Sequence, residues 1–247
     1  MSALNVGRVV IICLVVVTYC ANPAQAASAE DTSRAIWLVD DFEDGNLWDT
    51  WTDNGGSCTS YITSTPAPPC PQGSNCLLIS GDCGGFYEGI STDLGGFQAT
   101  SLSMYIRSDT IATANAYVVI DDDNDPMNGA VVFFFGNGLA EWRFSSGGLP
   151  YICGPRVAYQ WYQLAFNFDW TARTVDVLID GNLKHSGIPM ASSTATGLDY
   201  LYLFNYESGN ALYDYIIASS PPPEPPIFMD GFESGGTSLW SLSVPDP

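Results

Sequence analysis

Short segments in which apolar and polar residues alternate recur along most of the chain, and they restrict it to folds built from β-strands. The clearest are SLSMYIRS at 101–108 and YQLAFNFD at 162–169. Alternation places every second side chain on the same face of a sheet, so Leu102, Met104 and Ile106 are expected to face a core. No window has the periodicity of an amphipathic helix. The sequence therefore predicts an all-β fold in which two antiparallel sheets pack as a sandwich.

Two further segments refine this prediction. TVDVLI at 174–179 alternates and is followed by Asp180-Gly181, a dipeptide typical of a tight β-hairpin turn. AVVFFFG at 130–136 has no polar side chain, as expected of a strand that is covered on both faces. Aromatic residues make up 13% of the chain, which supports a thick core.

Both ends of the chain differ from the middle in composition. Residues 1–26 contain one basic residue, a short apolar run and a small-residue AQA sequence, which is the pattern of a secretory signal peptide. Five prolines fall within 221–226, where they cannot join a sheet ladder and favour a stiff, extended conformation. We therefore expect a signal peptide at 1–26, a sandwich domain at 27–219, a proline-rich linker at 220–226 and a C-terminal tail at 227–247.

The chain is strongly acidic, with 27 Asp and Glu residues against 7 Lys and Arg residues and a formal net charge of −20. Such a surface repels nucleic acid and anionic membranes. After the leader, no segment has the ~20 apolar residues of a membrane span. The mature protein is therefore expected to be secreted, either extracellular or at the cell surface, without a membrane span and without a nucleic-acid partner.

Five cysteines follow the leader: Cys58, Cys70, Cys76, Cys83 and Cys153. The first four fall close together in a region rich in Gly, Ser and Pro, where we interpret them as disulfides that staple long loops. Their spacing lacks the two close pairs of a zinc site. Because five is an odd number, one thiol is free, or pairs between molecules, or Cys153 pairs with the cluster. All three alternatives stay open at this point.

Several segments together carry a family resemblance. DDFEDGNLWDTW opens the domain at 40–51, and WYQLAFNFDWTARTVDVLIDG at 161–181 combines a Trp-Tyr strand start, a turn and a returning strand. In this order the chain resembles, over about residues 36–218, the concanavalin A-like lectin/glucanase (laminin G-like) domain of secreted bacterial proteins. The resemblance implies a jelly-roll β-sandwich. It implies little about the ligand, because this fold hosts lectins, glucanases, lyases and adhesive modules.

Catalysis by sandwich glucanases needs two carboxyl groups about 5–5.5 Å apart for retention, or about 6.5–9.5 Å apart for inversion. Glu88 and Glu141 stand alone in their segments, and Asp169 has no acidic partner in its strand. The single histidine, His185, is expected at the surface and supplies no Ser-His-Asp arrangement. We therefore expect a non-catalytic protein. A polysaccharide-active enzyme with an unrecognised site is one alternative.

Two groups of acidic residues are candidates for binding a structural calcium ion. The family resemblance implies a site formed by Asp41 and Glu43 in the first strand and Asp214 in the last, since these strands are neighbours in such folds. The alternative site is the oxygen-rich DDDND run, with the ligands Asp121, Asp123 and Asp125. That run lacks the residue spacing of a calcium loop. Both groups also read as ordinary solvated turns.

Glycan binding in such a module depends on exposed aromatic rings that stack on sugar faces, with polar groups nearby for the hydroxyls. The candidate residues are Tyr87, Tyr105, Arg107, Trp142 and Trp170. Tyr105 and Arg107 lie on the polar face of an alternating strand and are expected to be exposed. The leading hypothesis is a secreted module that binds extracellular carbohydrate or another matrix component.

The tail repeats part of the first strand. MDGFESGGTSLW at 229–240 echoes VDDFEDGNLW at 39–48. The residues in register are Asp40, Phe42, Glu43 and Gly45 in the first copy and Asp230, Phe232, Glu233 and Gly235 in the second. A free strand can pair with a sheet edge, and similar short tails end other exported bacterial proteins. A second alternative is therefore a structural or adhesive surface protein whose tail docks or sorts it through a partner. A truncated domain or a disordered end is the plainer interpretation.

Overall fold

The computed structural model describes residues 36–121, 130–192 and 194–219. The predicted signal peptide, the proline-rich linker and the tail lie outside the described residues, as do Asp123 and Asp125. Within the described ranges, the only helix is a three-residue 3-10 turn, Leu47–Asp49. In that part of the chain, no helix has the length and apolar character needed to cross a bilayer.

Fifteen strands form the remaining regular structure of the described residues. In chain order they are β1 (Ile36–Asp40), β2 (Thr52–Asp53), β3 (Thr59–Thr63), β4 (Cys76–Ser80), β5 (Ile90–Phe97), β6 (Ser101–Ser108), β7 (Asn115–Asp121), β8 (Ala130–Gly136), β9 (Glu141–Ser146), β10 (Leu149–Pro155), β11 (Trp161–Asp169), β12 (Thr174–Ile179), β13 (Asn182–Pro189), β14 (Leu198–Phe204) and β15 (Asn210–Ser219).

The strands form two antiparallel sheets. The eight-stranded sheet has the order β13-β12-β11-β6-β15-β4-β3, and β1 pairs with the last residues of β15. The seven-stranded sheet has the order β10-β9-β8-β7-β14-β5-β2. Side chains from the two sheets meet between them, as where Phe134 of β8 contacts Phe166 of β11 edge to face at 5.9 Å. The prediction of an all-β sandwich with two antiparallel sheets is confirmed.

The alternating segments lie as their pattern predicts. Leu102, Met104 and Ile106 of β6 are buried, and so is every second side chain of β11 and β12. The predicted hairpin joins β12 to β13, where Asp180 has φ 52° and Gly181 has φ 70°. A two-residue hairpin turn of type I′ requires positive φ values at both central residues, which explains the Asp-Gly dipeptide.

Strand β8 shows why an all-apolar segment suits this fold. Val132 and Phe134 are fully buried on the core side, and Phe134 also stacks on Trp142. Phe133 and Phe135 point to the other side of the sheet and are only half-buried. The strand is therefore apolar on both faces, but its outer face keeps some contact with solvent.

Two disulfides join cysteines of the predicted cluster. Cys58 is bonded to Cys83, and Cys70 to Cys76. Cys153 is a free, buried thiol, and burial raises its pKa to about 12. Of the three alternatives for the odd cysteine, the structure shows the free thiol. The two disulfides fit an oxidising environment such as the cell exterior.

A buried arginine holds one end of the sandwich. Arg156 donates to the Asn137 carbonyl at 2.6 Å and to the Asn115 side chain, and its guanidinium lies 5.5 Å from the Trp142 ring centroid. Burial lowers the pKa of Arg156 to about 10, so the group stays charged at neutral pH. A Cβ at position 136 would collide with this guanidinium, which explains Gly136 in the last position of β8.

Candidate functional site

The outer face of the seven-stranded sheet carries a continuous set of aromatic side chains. Backbone pairing places Val119 of β7 opposite both Phe133 and Tyr202, and it places Tyr117 opposite Phe204. Paired residues share one face, and this face is the one turned away from the core. We call the following set the aromatic face: Phe86, Tyr87, Tyr117, Phe133, Phe135, Tyr200, Tyr202, Phe204 and Tyr206.

Three rings form a stacked row across adjacent strands of this face. The Tyr117 ring stacks on Phe135 of β8 with a centroid separation of 5.0 Å and on Phe204 of β14 with a separation of 4.7 Å. These separations match the spacing of neighbouring strands, about 4.7–4.9 Å. Such ring pairs contribute about 0.5–1.5 kcal/mol each beyond their burial. The row therefore stiffens the centre of the sheet.

A loop before β5 covers part of the row. Phe86 stacks on Tyr206 with a centroid separation of 4.3 Å and meets Tyr117 edge to face at 6.3 Å. The side chains of Phe86 and Tyr206 are 43% and 38% exposed. Tyr87 is half-buried and contacts Tyr202 at 5.5 Å. The aromatic face thus has a buried row at its centre and an exposed ring pair at its rim.

The loop that carries Phe86 and Tyr87 is anchored at its start. Cys83 is bonded to Cys58, which precedes β3 of the other sheet. The Cys83 amide donates to the Asn205 carbonyl at 3.0 Å, directly after β14. A covalent bond and a backbone hydrogen bond therefore fix where the loop crosses the sheet.

Phenol groups supply polar atoms on this face. Burial raises the pKa of Tyr202 to about 12, and the nearby Asp121 carboxylate adds to the effect. Burial also raises the pKa of Tyr117. Both phenols therefore keep their protons at neutral pH. They can donate hydrogen bonds, but they are poor general bases.

Of the acidic residues considered for catalysis, Glu141 forms an ion pair. The Glu141 carboxylate is 2.8 Å from the Arg143 guanidinium, and hydrogen bonds from Arg143 lower its pKa. A general acid at neutral pH needs a raised carboxyl pKa instead. His185 is half-buried, with its Nε2 atom 2.8 Å from the Ile152 carbonyl on β10.

Sequence reasoning missed most of the aromatic face, although a signal was present. Tyr200, Tyr202, Phe204 and Tyr206 occupy every second position of one segment, which places four rings on one side of β14 and its extension. Of the predicted glycan-binding residues, only Tyr87 belongs to the face.

The other predicted ligand residues lie elsewhere. Trp142 is fully buried in the core. Trp170 is half-buried, stacks on Phe168 and donates its indole N–H to the Ala99 carbonyl at 2.7 Å. Tyr105 is half-buried on β6 of the eight-stranded sheet. These residues and the aromatic face therefore do not form one surface.

The expectation that Arg107 is exposed is wrong. The side chain is 4% exposed, because the loop before β4 folds over it and accepts its hydrogen bonds at the Ala67 and Pro68 carbonyls (3.0 and 2.8 Å). The guanidinium also lies 5.6 Å from the ring centroids of Tyr159 and Trp161. Arg107 therefore holds this loop in place.

The first predicted calcium group converges on the loop closed by the Cys70–Cys76 disulfide. Glu43 Oε1 accepts the backbone N–H groups of Ser74 and Asn75 at 2.8 and 2.7 Å. Asp214 Oδ2 accepts the Gln72 N–H at 2.8 Å. The same short loop therefore binds both carboxylates.

Asp214 is the most unusual carboxyl group of the described residues. Its side chain is fully buried, and its Oδ1 atom has no hydrogen-bond partner among the residues that the structure describes. Burial first, and then the charges of Glu43 and Asp41, raise the pKa of Asp214 to about 6, although hydrogen bonds from the Gln72 and Tyr215 backbones lower it in part. An unpaired buried acceptor next to other carboxylates is a position that a cation would stabilise.

The fit to a metal ion is partial. No three His, Cys, Asp or Glu side chains of the described ranges are grouped to hold a metal. Glu43 already uses one oxygen for two backbone donors, so Asp214 is the side chain with spare capacity. Of the alternative group, Asp121 is fully buried at the end of β7, and the rest lies outside the described residues.

Together, the strand order and the outer face define a two-sheet antiparallel β-sandwich with an aromatic surface. Among solved structures, the chain is similar to the cellulose induced protein Cip1, with a TM-score of 0.53 and 16% identity over 73% of this chain and 96% of that one. It is similar to the Crh5 transglycosylase in its apo form, with a TM-score of 0.50 and 11% identity over 76% of this chain and 85% of that one.

A sialidase is also similar, with a TM-score of 0.52 and 10% identity over 73% of this chain. The chain spans only 18% of the length of that sialidase. At such identities the similarity shows a shared fold. No protein-family model matches the chain, and no curated protein matches its sequence.

Proposed function

We propose that the protein is a secreted, non-catalytic module with a concanavalin A-like jelly-roll fold that binds extracellular carbohydrate through the aromatic face. The observation that carries this proposal is the concentration of partly exposed rings on one side of one sheet. By contrast, the aromatic residues on the inner sides of the two sheets, such as Phe134 and Trp142, are fully buried.

The chemistry of the aromatic face suits a sugar chain. Flat rings such as those of Phe86 and Tyr206 can stack on the apolar faces of pyranose rings, while phenol groups donate to hydroxyls. The net charge of −20 disfavours polyanionic glycans. The ligand class that fits best is therefore a neutral polysaccharide.

The names of two structural neighbours, a transglycosylase and a sialidase, denote enzymes that act on glycans, which supports carbohydrate as the ligand class. A non-catalytic role for this chain is supported by the ion pair that occupies Glu141. An assay of reducing-end release from polysaccharides is expected to show none. Release that Glu88→Gln or Glu141→Gln abolishes would contradict the non-catalytic assignment.

The test of binding is a glycan array with the full-length protein, with and without calcium. Phe86→Ala and Tyr206→Ala are each expected to weaken saturable binding about two- to tenfold, because each removes one stacking ring. Tyr61→Ala is the matched control, since Tyr61 is 48% exposed on β3 at the edge of the other sheet. Binding that is absent in the unaltered protein, or equal in all three variants, would refute the proposal.

We further propose a structural calcium ion with Asp214 as a side-chain ligand, beside Asp41 and Glu43. The support is the buried, unpartnered Oδ1 atom of Asp214. A bound cation would supply positive charge among the carboxylates of Asp41, Glu43 and Asp214. Backbone carbonyls and water are the usual additional ligands of calcium. The melting temperature is expected to rise with calcium and to fall with chelator. A melting temperature that is the same in both would remove calcium from the proposal.

A further inference from the structure

The segment 36–48, which we call the N-terminal plug, closes one end of the sandwich through a few side chains. Phe42 is fully buried and stacks on Trp51 with a centroid separation of 6.3 Å. Asp40 Oδ2 accepts the Trp51 indole N–H at 2.7 Å. Glu43 accepts the two backbone N–H groups from the loop closed by Cys70–Cys76. These contacts attach the plug to the rest of the molecule.

Other side chains of the plug bond only within its own turn. Asp41 Oδ1 accepts the Glu43 N–H at 3.2 Å, and Asp44 Oδ1 accepts the Asn46 N–H at 2.9 Å. Neither forms a hydrogen bond with a residue outside the plug among those described. The plug thus contains two kinds of acidic residue, those that attach it to the protein and those that only shape its turn.

The tail repeats the attaching residues and replaces the others. Asp230, Phe232 and Glu233 occupy the positions of Asp40, Phe42 and Glu43. Gly235 repeats Gly45, whose φ of 75° favours glycine. Gly231 and Ser234 replace Asp41 and Asp44, the two residues that bond locally. Three apolar residues, Ile227 to Met229, precede the motif as Trp37 to Val39 do in β1.

We propose that the tail of one molecule takes the place of the N-terminal plug in a second copy of this chain. Residues 227–240 would pair with β15 of that copy as β1 does, place Phe232 against its Trp51, and place Glu233 on its Cys70–Cys76 loop. The partner is therefore another molecule of the same protein, and the interaction is a strand exchange at a defined slot.

The linker explains why the second copy is favoured over the molecule's own slot. The last residue of β15, Ser219, pairs with Ile36 at the start of β1. In the register of β1, a tail in its own slot would place Pro226, the counterpart of Ile36, opposite Ser219, so residues 220–225 would have to reverse the direction of the chain. Residues 220–226 include five prolines, and at about 3.1 Å per residue an extended run of seven spans roughly 22 Å. Because these prolines favour an extended conformation over a chain reversal, we expect the tail to reach a second copy more readily than its own β15.

Two properties of the plug make exchange practicable. Among the described strands, β1 pairs with β15 alone, and its Trp37 and Leu38 side chains are 44% and 43% exposed. The charges of Glu43 and Asp41 in the plug both act on Asp214, whereas the tail keeps Glu233 but has Gly231 in place of Asp41. Since like charges repel, the tail fills the slot with less electrostatic cost.

Disulfide trapping in the full-length protein tests this register. Leu38 pairs with Ile217 of β15, and Phe228 is the tail residue that corresponds to Leu38. A double variant with Ile217→Cys and Phe228→Cys is expected to form covalent dimers or longer chains on non-reducing gels. The matched control combines Ile217→Cys with Ser243→Cys, a tail position beyond the residues proposed to occupy the slot. The control is expected to show no such link.

A second measurement guards against misfolding of the cysteine variants. Phe232→Ala is expected to lower the affinity between copies by a factor on the order of 100, because it removes the ring that fills a buried site. Ser238→Ala is expected to leave it unchanged. The association of both variants is measured as the molar mass obtained by light scattering across a concentration series. A cross-link within one chain, equal cross-linking in the control, or a Phe232→Ala protein that associates like the unaltered one would overturn the proposal.

Discussion

Replacing Asp214 by asparagine is expected to stabilise the calcium-free protein at neutral pH, although it removes a residue from a hydrogen-bonded position. Burial raises the pKa of this carboxyl from 3.8 to about 6. Each pKa unit corresponds to ~1.4 kcal/mol, so the ionised carboxylate costs the folded state about 3 kcal/mol above pH 7. Asparagine keeps an acceptor for the Gln72 N–H, but it places an amide N–H₂ or oxygen where Oδ1 has no partner, at a cost of about 1 kcal/mol. The expected gain is therefore about 2 kcal/mol.

The pH dependence has a definite sign. Because the pKa of Asp214 is higher in the folded state, the folded state binds more protons between about pH 4 and pH 6, and its stability falls as the pH rises through that range. Below pH 3.8 the carboxyl is protonated in both states and the penalty vanishes. The advantage of Asp214→Asn is thus expected to be full at pH 7.5 and to disappear near pH 3.5.

Urea unfolding with linear extrapolation, at pH 7.5 and pH 3.5 in the presence of chelator, measures both values. Asp49→Asn removes one negative charge from an exposed position and serves as the control. If Asp214→Asn is less stable than the unaltered protein at pH 7.5 in chelator, the charge of Asp214 is favourable in the fold and the reasoning fails. Adding calcium is expected to reduce the difference in unfolding free energy between Asp214→Asn and the unaltered protein, because the proposed ion stabilises the carboxylate of Asp214 and not the amide.

Three other predictions concern packing. Phe42→Ala is expected to lower the free energy of unfolding by about 3–5 kcal/mol, because the Phe42 ring is fully buried. Trp48→Ala is the control, since that side chain is 53% exposed, and it is expected to change the same quantity by less than about 0.5 kcal/mol. Urea unfolding measures both values. Gly136→Ala is expected to cost about 1–3 kcal/mol, seen as a lower melting temperature, because its Cβ would displace the Arg156 guanidinium. The Cys153 thiol is expected to resist alkylation at pH 8 until the protein unfolds, and rapid labelling of the folded protein in a mass spectrum would contradict its burial.

The strands were predictable because their information is local. Alternation in β6, β11 and β12 identifies the buried residues without reference to any other segment, and Asp180-Gly181 fixes one hairpin. The disulfide pairing was not predictable in this way, since it depends on which loops the sheets bring together. The Cys70–Cys76 disulfide lies between Cys58 and Cys83 in the sequence, and sequence spacing alone could not show that the outer two cysteines pair with each other.

The site was harder to predict for two physical reasons. Alternation shows which residues share a face but not what covers that face, so it could not show that Tyr200, Tyr202 and Phe204 lie on the outer side of the seven-stranded sheet. For Arg107 the pattern correctly indicated the outer face, but a distant loop covers it through the Ala67 and Pro68 carbonyls. Coverage by loops is a tertiary property, and it decides exposure here.

The bond between Cys58 and Cys83 has a consequence for how this protein matures. It joins the loop bearing Phe86 to the residue before β3 of the other sheet, so oxidation of the two sulfurs restricts the rim of the aromatic face. With Cys58 and Cys83 reduced, the strands can still pair, but the loop that carries Phe86 is less restricted and must lose conformational freedom each time a ligand binds. On the proposed function, oxidation of Cys58 and Cys83 would order this surface before a ligand arrives, and competence for binding would come late in the maturation of the protein.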